Sequence, residues 1–302
     1  MSEIQPPQRH PLYLFAILIL LMIGGSAIFG MLGVMIGGLV YGFENISNPD
    51  HIGFLRILQS SLSIGTFVLP AWFFPRFSSI SAPQYLKLNT RLFPVYLILT
   101  IAVVISSSAP HEWAIQLNKQ LQLPDFLKTL EDWMRQKEEE TLQLVKQLTT
   151  MNGPGDLMIN LLMLALLPAL GEEMIFRGSI QPLFTRLFNN YHWGIWISAI
   201  IFSAIHLQFY GFLPRMLLGG TFGYLLVWSN SLWIPILAHF LNNAGIIVLA
   251  YSYQQQGLST DALEGAPQGQ VYLYFINLFL TFVGLMIFYQ YAKAKNTIPY
   301  TN

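Results

Sequence analysis

Pro11–Gly42 reads PLYLFAILILLMIGGSAIFGMLGVMIGGLVYG, and no residue in it carries a charge. An apolar helix of about 20 residues crosses the hydrocarbon core of a bilayer, so this stretch spans with residues to spare. It is longer than the apolar core of a signal peptide and shows no evident cleavage site, so it reads as a retained first helix. Its glycines (Gly24, Gly25, Gly30, Gly33, Gly37, Gly38) predict close packing against neighbouring helices. Working outward, further apolar segments fall at roughly 52–75, 92–109, 157–188, 192–209, 212–229, 231–251 and 270–292, each near the length a span needs.

Composition agrees. Of 302 residues, 54% are hydrophobic and 10% charged, against about 25% charged in an ordinary soluble domain. Fifteen basic residues balance fifteen acidic ones. A neutral chain without a basic stripe is not a nucleic-acid binder, and one this apolar is not disordered. With no cysteine, disulfide frameworks, zinc–thiolate sites, iron–sulfur clusters and Cys nucleophiles are excluded. The expected fold is all-α: a polytopic membrane helix bundle of about eight transmembrane helices plus one extramembrane amphipathic helix. It forms a single membrane domain over 1–302, without tandem repeats.

The amphipathic helix falls in 111–150, which holds 12 of the 30 charged residues. There Leu127, Leu130, Trp133, Met134, Leu144 and Leu148 recur at helical spacing. A solvated loop and a lid over the membrane domain are both open readings. With eight spans the termini share a side. Arg9, Arg76, Lys87, Arg91, Arg186, Lys293 and Lys295 fall on it, while the short opposite loops hold almost no Lys or Arg. The positive-inside rule then places both termini in the cytoplasm and 111–150 outside.

Charges inside a membrane segment are costly and mark candidate functional sites. The sharpest case is Gly171-Glu172-Glu173-Met174-Ile175-Phe176-Arg177-Gly178. Glu173 and Arg177 stand at i and i+4 with the acid first, the favoured order for a helical ion pair. Glu172 is rotated about 100° away and stays free. Phe202 and His206 are also i and i+4, as are His239 and Asn243. Measured from a turn at Asn189–Asn190, Glu172 and His206 both lie roughly 25 Å deep, so an antiparallel hairpin brings them level. His239 lies only about 14 Å from the turn near Asn230, a mismatch that tilt or unwinding near Pro235 must absorb.

A carboxylate and an imidazole beside one water make a general base and a proton shuttle. A second imidazole and a carboxamide can donate to a developing oxyanion. Together they can hydrolyse an amide without a covalent intermediate. The helical His-Glu-x-x-His zinc signature is missing, since Ile115 follows His111-Glu112 where the second His belongs. Gly153-x-Gly155-Asp156 matches the Gly-x-Gly-Asp of presenilin-like aspartyl proteases, but no Tyr-Asp partner exists, and Asp156 reads as a helix N-cap.

The ordered set Glu172-Glu173-x-x-x-Arg177, Phe202-x-x-x-His206 and His239-x-x-x-Asn243 resembles the three motifs of the CPBP family, which includes CAAX-type prenyl endopeptidases and bacteriocin-processing enzymes. The resemblance spans 172–243, within a motif-bearing region 154–251. It implies an intramembrane endopeptidase acting on a peptide or membrane-protein substrate in the lipid bilayer. Carried over, it implies that Glu172 and His206 activate the water, that His239 and Asn243 form the oxyanion hole, and that Glu173 and Arg177 order the site. The expected mechanism uses no cofactor. The alternative is a zinc ion held by Glu172, His206 and His239, which leaves only the ion-paired Glu173 as base. A bacterial cytoplasmic membrane is the expected location. The rival readings are a small-molecule transporter, which predicts a second, related half that spans one to three do not supply, and a non-catalytic scaffold or immunity protein. Gly219-x-x-x-Gly223 reads as a packing face of span six, Arg215 as snorkelling, and Arg56 as an interfacial anchor or ion-pair partner.

Overall fold

Each apolar segment becomes helix in the computed structural model, which describes residues 9–47, 51–120, 123–258 and 271–298. The helices are α1 (Pro11–Tyr41), α2 (Ile52–Ser78), α3 (Pro94–Lys119), α4 (Lys128–Leu148), α5 (Pro154–Phe188), α6 (Tyr191–Ala204), α7 (Phe212–Ser229), α8 (Trp233–Gln255) and α9 (Val271–Ala294). No strand occurs among the described residues. The fold is a polytopic helical bundle of an integral membrane protein. Six helices (α1, α2, α3, α5, α8 and α9) are long and apolar enough to cross a membrane. The other two expected spans are shorter: α6 has 14 residues and α7 has 18.

Three differences from the sequence reading have local causes. The third span does not stop near 109. Instead α3 runs through Pro110 to Lys119, so the region expected to be extramembrane begins inside this helix. Proline removes the donor for the Ser106 carbonyl, a loss that membrane helices tolerate where neighbours shield the freed group, and Ser106 is buried against Thr281 of α9 at 3.1 Å. The fifth span ends early, at Ala204, and the chain unwinds through Leu207, whose φ of 53° lies in the left-handed region. Asp156 is not the N-cap of α5, a place held by Gly153. It sits in the first turn, accepting from the Asn152 amide at 3.0 Å and from Arg56 Nη1 at 2.9 Å.

Close glycine contacts set the α1–α2 crossing, where a Cβ at Gly25 would overlap the Gly65 carbonyl. Three wide i→i+5 turns, at Ile64–Val68, Leu161–Leu166 and Phe176–Ile180, are each followed by a proline: Pro70, Pro168 and Pro182. A proline ring clashes with the carbonyl four residues back, and widening the preceding turn relieves that clash. The last two of these turns flank Glu172 and Glu173.

α5 is the hub. It runs parallel to α2, with Arg56 at Asp156 and Phe67 at Gly171. It also runs parallel to α7, where Arg177 and Gln181 donate to the Gly219 and Gly223 carbonyls at 3.1 and 3.2 Å. Against α8 it is antiparallel. One apolar core joins Leu14, Phe74, Phe176, Phe202 and Leu232, and a second joins Tyr96, Ile195, Phe222, Ile234 and Phe288. Large apolar side chains on the outer faces of α1 and α9, such as Leu20, Met31, Phe275 and Phe279, stay exposed, as lipid-facing surfaces do.

Candidate active site

Glu173 is fully buried, with side-chain exposure of 0%, and Arg177 one turn on is 1% exposed. Arg177 Nη1 donates to Glu173 Oε1 at 3.0 Å, the ion pair expected from their spacing. His239 Nδ1 reaches the same oxygen at 2.8 Å. An ionised carboxylate only accepts, so His239 carries its proton on Nδ1 and turns Nε2 outward. That Nε2 lies 3.8 Å from Glu172 Oε2. The carboxylates thus divide their work: Glu173 is locked between a cation and an imidazole, and Glu172 makes no hydrogen bond or ion pair with an arginine among the described residues.

The depth mismatch expected for His239 does not arise, because the inner turns are not level where α5 meets α8. Leu232, at the start of α8, packs beside Gly178, well before Asn189 along α5: a Cβ on Gly178 would lie 3.5 Å from Leu232 Cδ2 and 2.6 Å from Leu86 Cδ2. Two turns further along α8, His239 is then level with Glu173. One more turn brings Asn243 to Leu164, whose carbonyl accepts from Asn243 Nδ2 at 3.4 Å. This is the carbonyl that Pro168 deprives of its α-helical donor.

His206 lies just beyond the last turn of α6 rather than within a helix. Its Nδ1 sits 2.7 Å from the Phe202 carbonyl, one of the orphan acceptors at a helix C-terminus. A carbonyl only accepts, so Nδ1 holds the proton and Nε2 keeps a lone pair. The expected Phe202–His206 packing is present, with ring centroids 5.0 Å apart. Glu172 and His206 form neither a hydrogen bond nor an ion pair, and the imidazole directly beside Glu172 is His239. All six expected residues therefore fall around the α5–α8 seam and the end of α6, but the pairing of histidines with carboxylates differs from the sequence reading.

Sequence reasoning passed over one contributor, Phe222, and the contacts that two others, Gly219 and Phe202, make with Arg177. Gly219 does form the packing face expected of Gly219-x-x-x-Gly223, and its carbonyl also accepts from Arg177. Phe222 stacks on His239, with centroids 5.5 Å apart and planes at 30°. Phe202 places its ring 4.6 Å from the Arg177 guanidinium carbon. The glycine pair was the one visible signal; nothing in the sequence marks Phe222 out from other apolar residues of its helix. Arg215 does not simply snorkel: it donates to Gln208, two residues from His206. Among the described residues, no three His, Asp or Glu side chains come together as a metal ion requires. Glu172, His206 and His239 do not form such a group.

The amphipathic segment folds as α4 and packs on the turn beyond His206: Trp133 meets Phe209 at 5.4 Å, and Glu138 Oε2 accepts from the Tyr210 amide at 3.4 Å. A cavity of about 270 Å³ opens there, lined by Lys119, Arg135, Glu138, Glu139, Leu142 and Tyr210. None of these belongs to the Glu172 cluster.

Residues 154–245, from the start of α5 into α8, match the family model for type II CAAX prenyl endopeptidase Rce1-like proteins. Two relatives come from Bacillus subtilis (strain 168). One, named "Uncharacterized protein YpbD", is 30% identical over 89 residues, covering 28% of this chain and 42% of the relative. The other, named "Putative membrane peptidase YdiL", is 31% identical over 78 residues, covering 26% of this chain and 32% of the relative. The chain thus spans less than half the length of either. No solved structure matches it.

Proposed function

We propose that this chain is an intramembrane endopeptidase of the Rce1-like type, hydrolysing a peptide or membrane-protein substrate with a water activated by Glu172 and His206. The observation that carries this reading is the division of labour on α5. Glu173 is held by Arg177 and His239, which leaves the adjacent Glu172 to act on a ligand. Glu172 takes a proton from water as the oxygen attacks the scissile carbonyl carbon. The oxyanion that forms takes a hydrogen bond from Asn243 Nδ2, and the His239 ring beside Glu172 completes the oxyanion site. The proton held by Glu172 then passes through an intervening water and Nε2 of His206, whose Nδ1 is tied to Phe202, to the amine nitrogen as the C–N bond breaks. The match of 154–245 to an endopeptidase family supports the reaction class.

We place the protein in a bacterial cytoplasmic membrane with both termini in the cytoplasm. The lysines and arginines of the short loops on that side and the bacterial relatives support this. The test is peptide cleavage by detergent-solubilised protein, comparing wild type with Glu172→Ala and His206→Ala, with and without a zinc chelator. Cleavage lost in both variants and indifferent to the chelator is the expected result. Folded variants that cleave like wild type would sink the assignment, and chelator-sensitive cleavage would move these residues to metal ligation.

A further inference from the structure

His239 meets Glu173 through a single hydrogen bond. That bond and the covalent tether at Cγ hold one edge of the imidazole and leave its plane able to rock about that edge. The second constraint comes from α7: Phe222, 2% exposed, lies face to face with the ring, centroids 5.5 Å apart and planes at 30°. Phe202 closes the edge, perpendicular at 86° and 6.1 Å away. The same Phe222 ring lies 5.5 Å from the Arg177 guanidinium carbon, and one turn earlier the Gly219 carbonyl accepts from Arg177 Nη2. α7 therefore touches both partners of Glu173.

We propose that Phe222 is a positioning residue: its ring face sets the plane of His239 so that Nε2 is directed at Glu172 and the substrate oxygen beside it. This rests on the peptidase reading for its catalytic consequence but not for the contact itself. An imidazole hydrogen-bonded at one corner and stacked on one face has one orientation. Without the aromatic face its plane can tilt and carry Nε2 away from the reacting atoms, and a misplacement of about 1 Å at a reacting group can cost around a hundredfold in rate. Leucine is apolar and flexible, so it fills part of the space without supplying a plane.

The experiment uses the full chain in detergent. Phe222→Leu is compared with Phe222→Tyr, and with Phe288→Leu, which removes an equally buried ring from the second core, stacked on Tyr96 at 4.8 Å. Phe222→Met replaces the leucine if that variant does not fold. The expected result is a fall in kcat of about 10- to 100-fold for Phe222→Leu, with KM little changed and kcat retained in Phe222→Tyr. Phe288→Leu is expected to lower Tm without lowering kcat. Unchanged kcat in folded Phe222→Leu, or an equal loss in Phe288→Leu, overturns the proposal. A second readout needs no activity. In a thermal double-mutant cycle, the Tm loss from Phe222→Leu shrinks in a His239→Ala background, whereas that from Phe288→Leu does not. Full additivity of Phe222 with His239 also overturns it. If wild type cleaves nothing, the peptidase reading fails while the cycle still decides the contact.

Discussion

Replacing Arg177 by Met tests the arrangement around Glu173 most directly. The change keeps a long, flexible, apolar stem among Phe176, Phe202 and Phe222 but deletes the guanidinium. Glu173, fully buried, then keeps only its bond from His239, and the Gly219 carbonyl loses its donor at 3.1 Å. Breaking a buried ion pair by removing one partner costs about 3–5 kcal/mol, and a stranded buried acceptor adds about 1 kcal/mol or more. At roughly 2–4 °C per kcal/mol for a chain of more than 150 residues, the apparent Tm falls by roughly 8–24 °C. The double variant Glu173→Gln with Arg177→Met removes both charges and is expected to melt above the single one, because no uncompensated carboxylate remains. Arg177→Lys, a point charge in place of a fork that reaches two acceptors, falls between. The assay is thermal unfolding in detergent followed by tryptophan fluorescence, with size exclusion confirming folded starting material. An Arg177→Met protein that melts within 2 °C or so of wild type, or a double variant no better than the single, refutes the reasoning.

Gly25→Ala forces a methyl group into the Gly65 carbonyl where α1 crosses α2, while the same change at Gly24 meets nothing within 4 Å. The first is expected to destabilise by about 1–3 kcal/mol and the second to be neutral; equal melting temperatures dismiss the close crossing. Lys87, on the loop between α2 and α3, has its pKa lowered to about 8 by burial, from 10.5. Between those values the unfolded chain binds more protons than the folded one, so this lysine makes stability rise with pH from about 8 towards 10.5. Tyr85, pushed up to about 12 by burial, acts in the opposite sense only above pH 10. The difference in Tm between Lys87→Met and wild type is therefore expected to be largest at neutral pH, favouring the variant, and to shrink from pH 8 to 10. A difference independent of pH contradicts the buried-lysine account.

Membrane class and helix positions were legible in the sequence because bilayer thickness imposes a length, and apolar residues report it without reference to the rest of the chain. The Glu173–Arg177 pair was legible for a similar reason, since one turn of helix sets its distance. Residues whose meaning depends on another element were not. Where helix meets helix, packing decides: Leu232 beside Gly178 shifts α8 along α5, and that shift brings His239 to the two glutamates, a pairing that depth counting from the turns could not give. Helix ends were misjudged where local rules compete. Pro110 should have stopped α3 but is tolerated in a packed membrane helix, and α6 stopped before His206 because that side chain can satisfy a carbonyl left open at its end. Sequence alone determined that Glu172, Glu173, Arg177, His239 and Asn243 lie in long apolar helices and which of them share a helical face, because both follow from periodicity along one chain. Only the tertiary structure decided which histidine faces which carboxylate, which ring holds it flat and which carbonyls receive Arg177 and Asn243, because these depend on the register between helices, set by side-chain packing across the bundle.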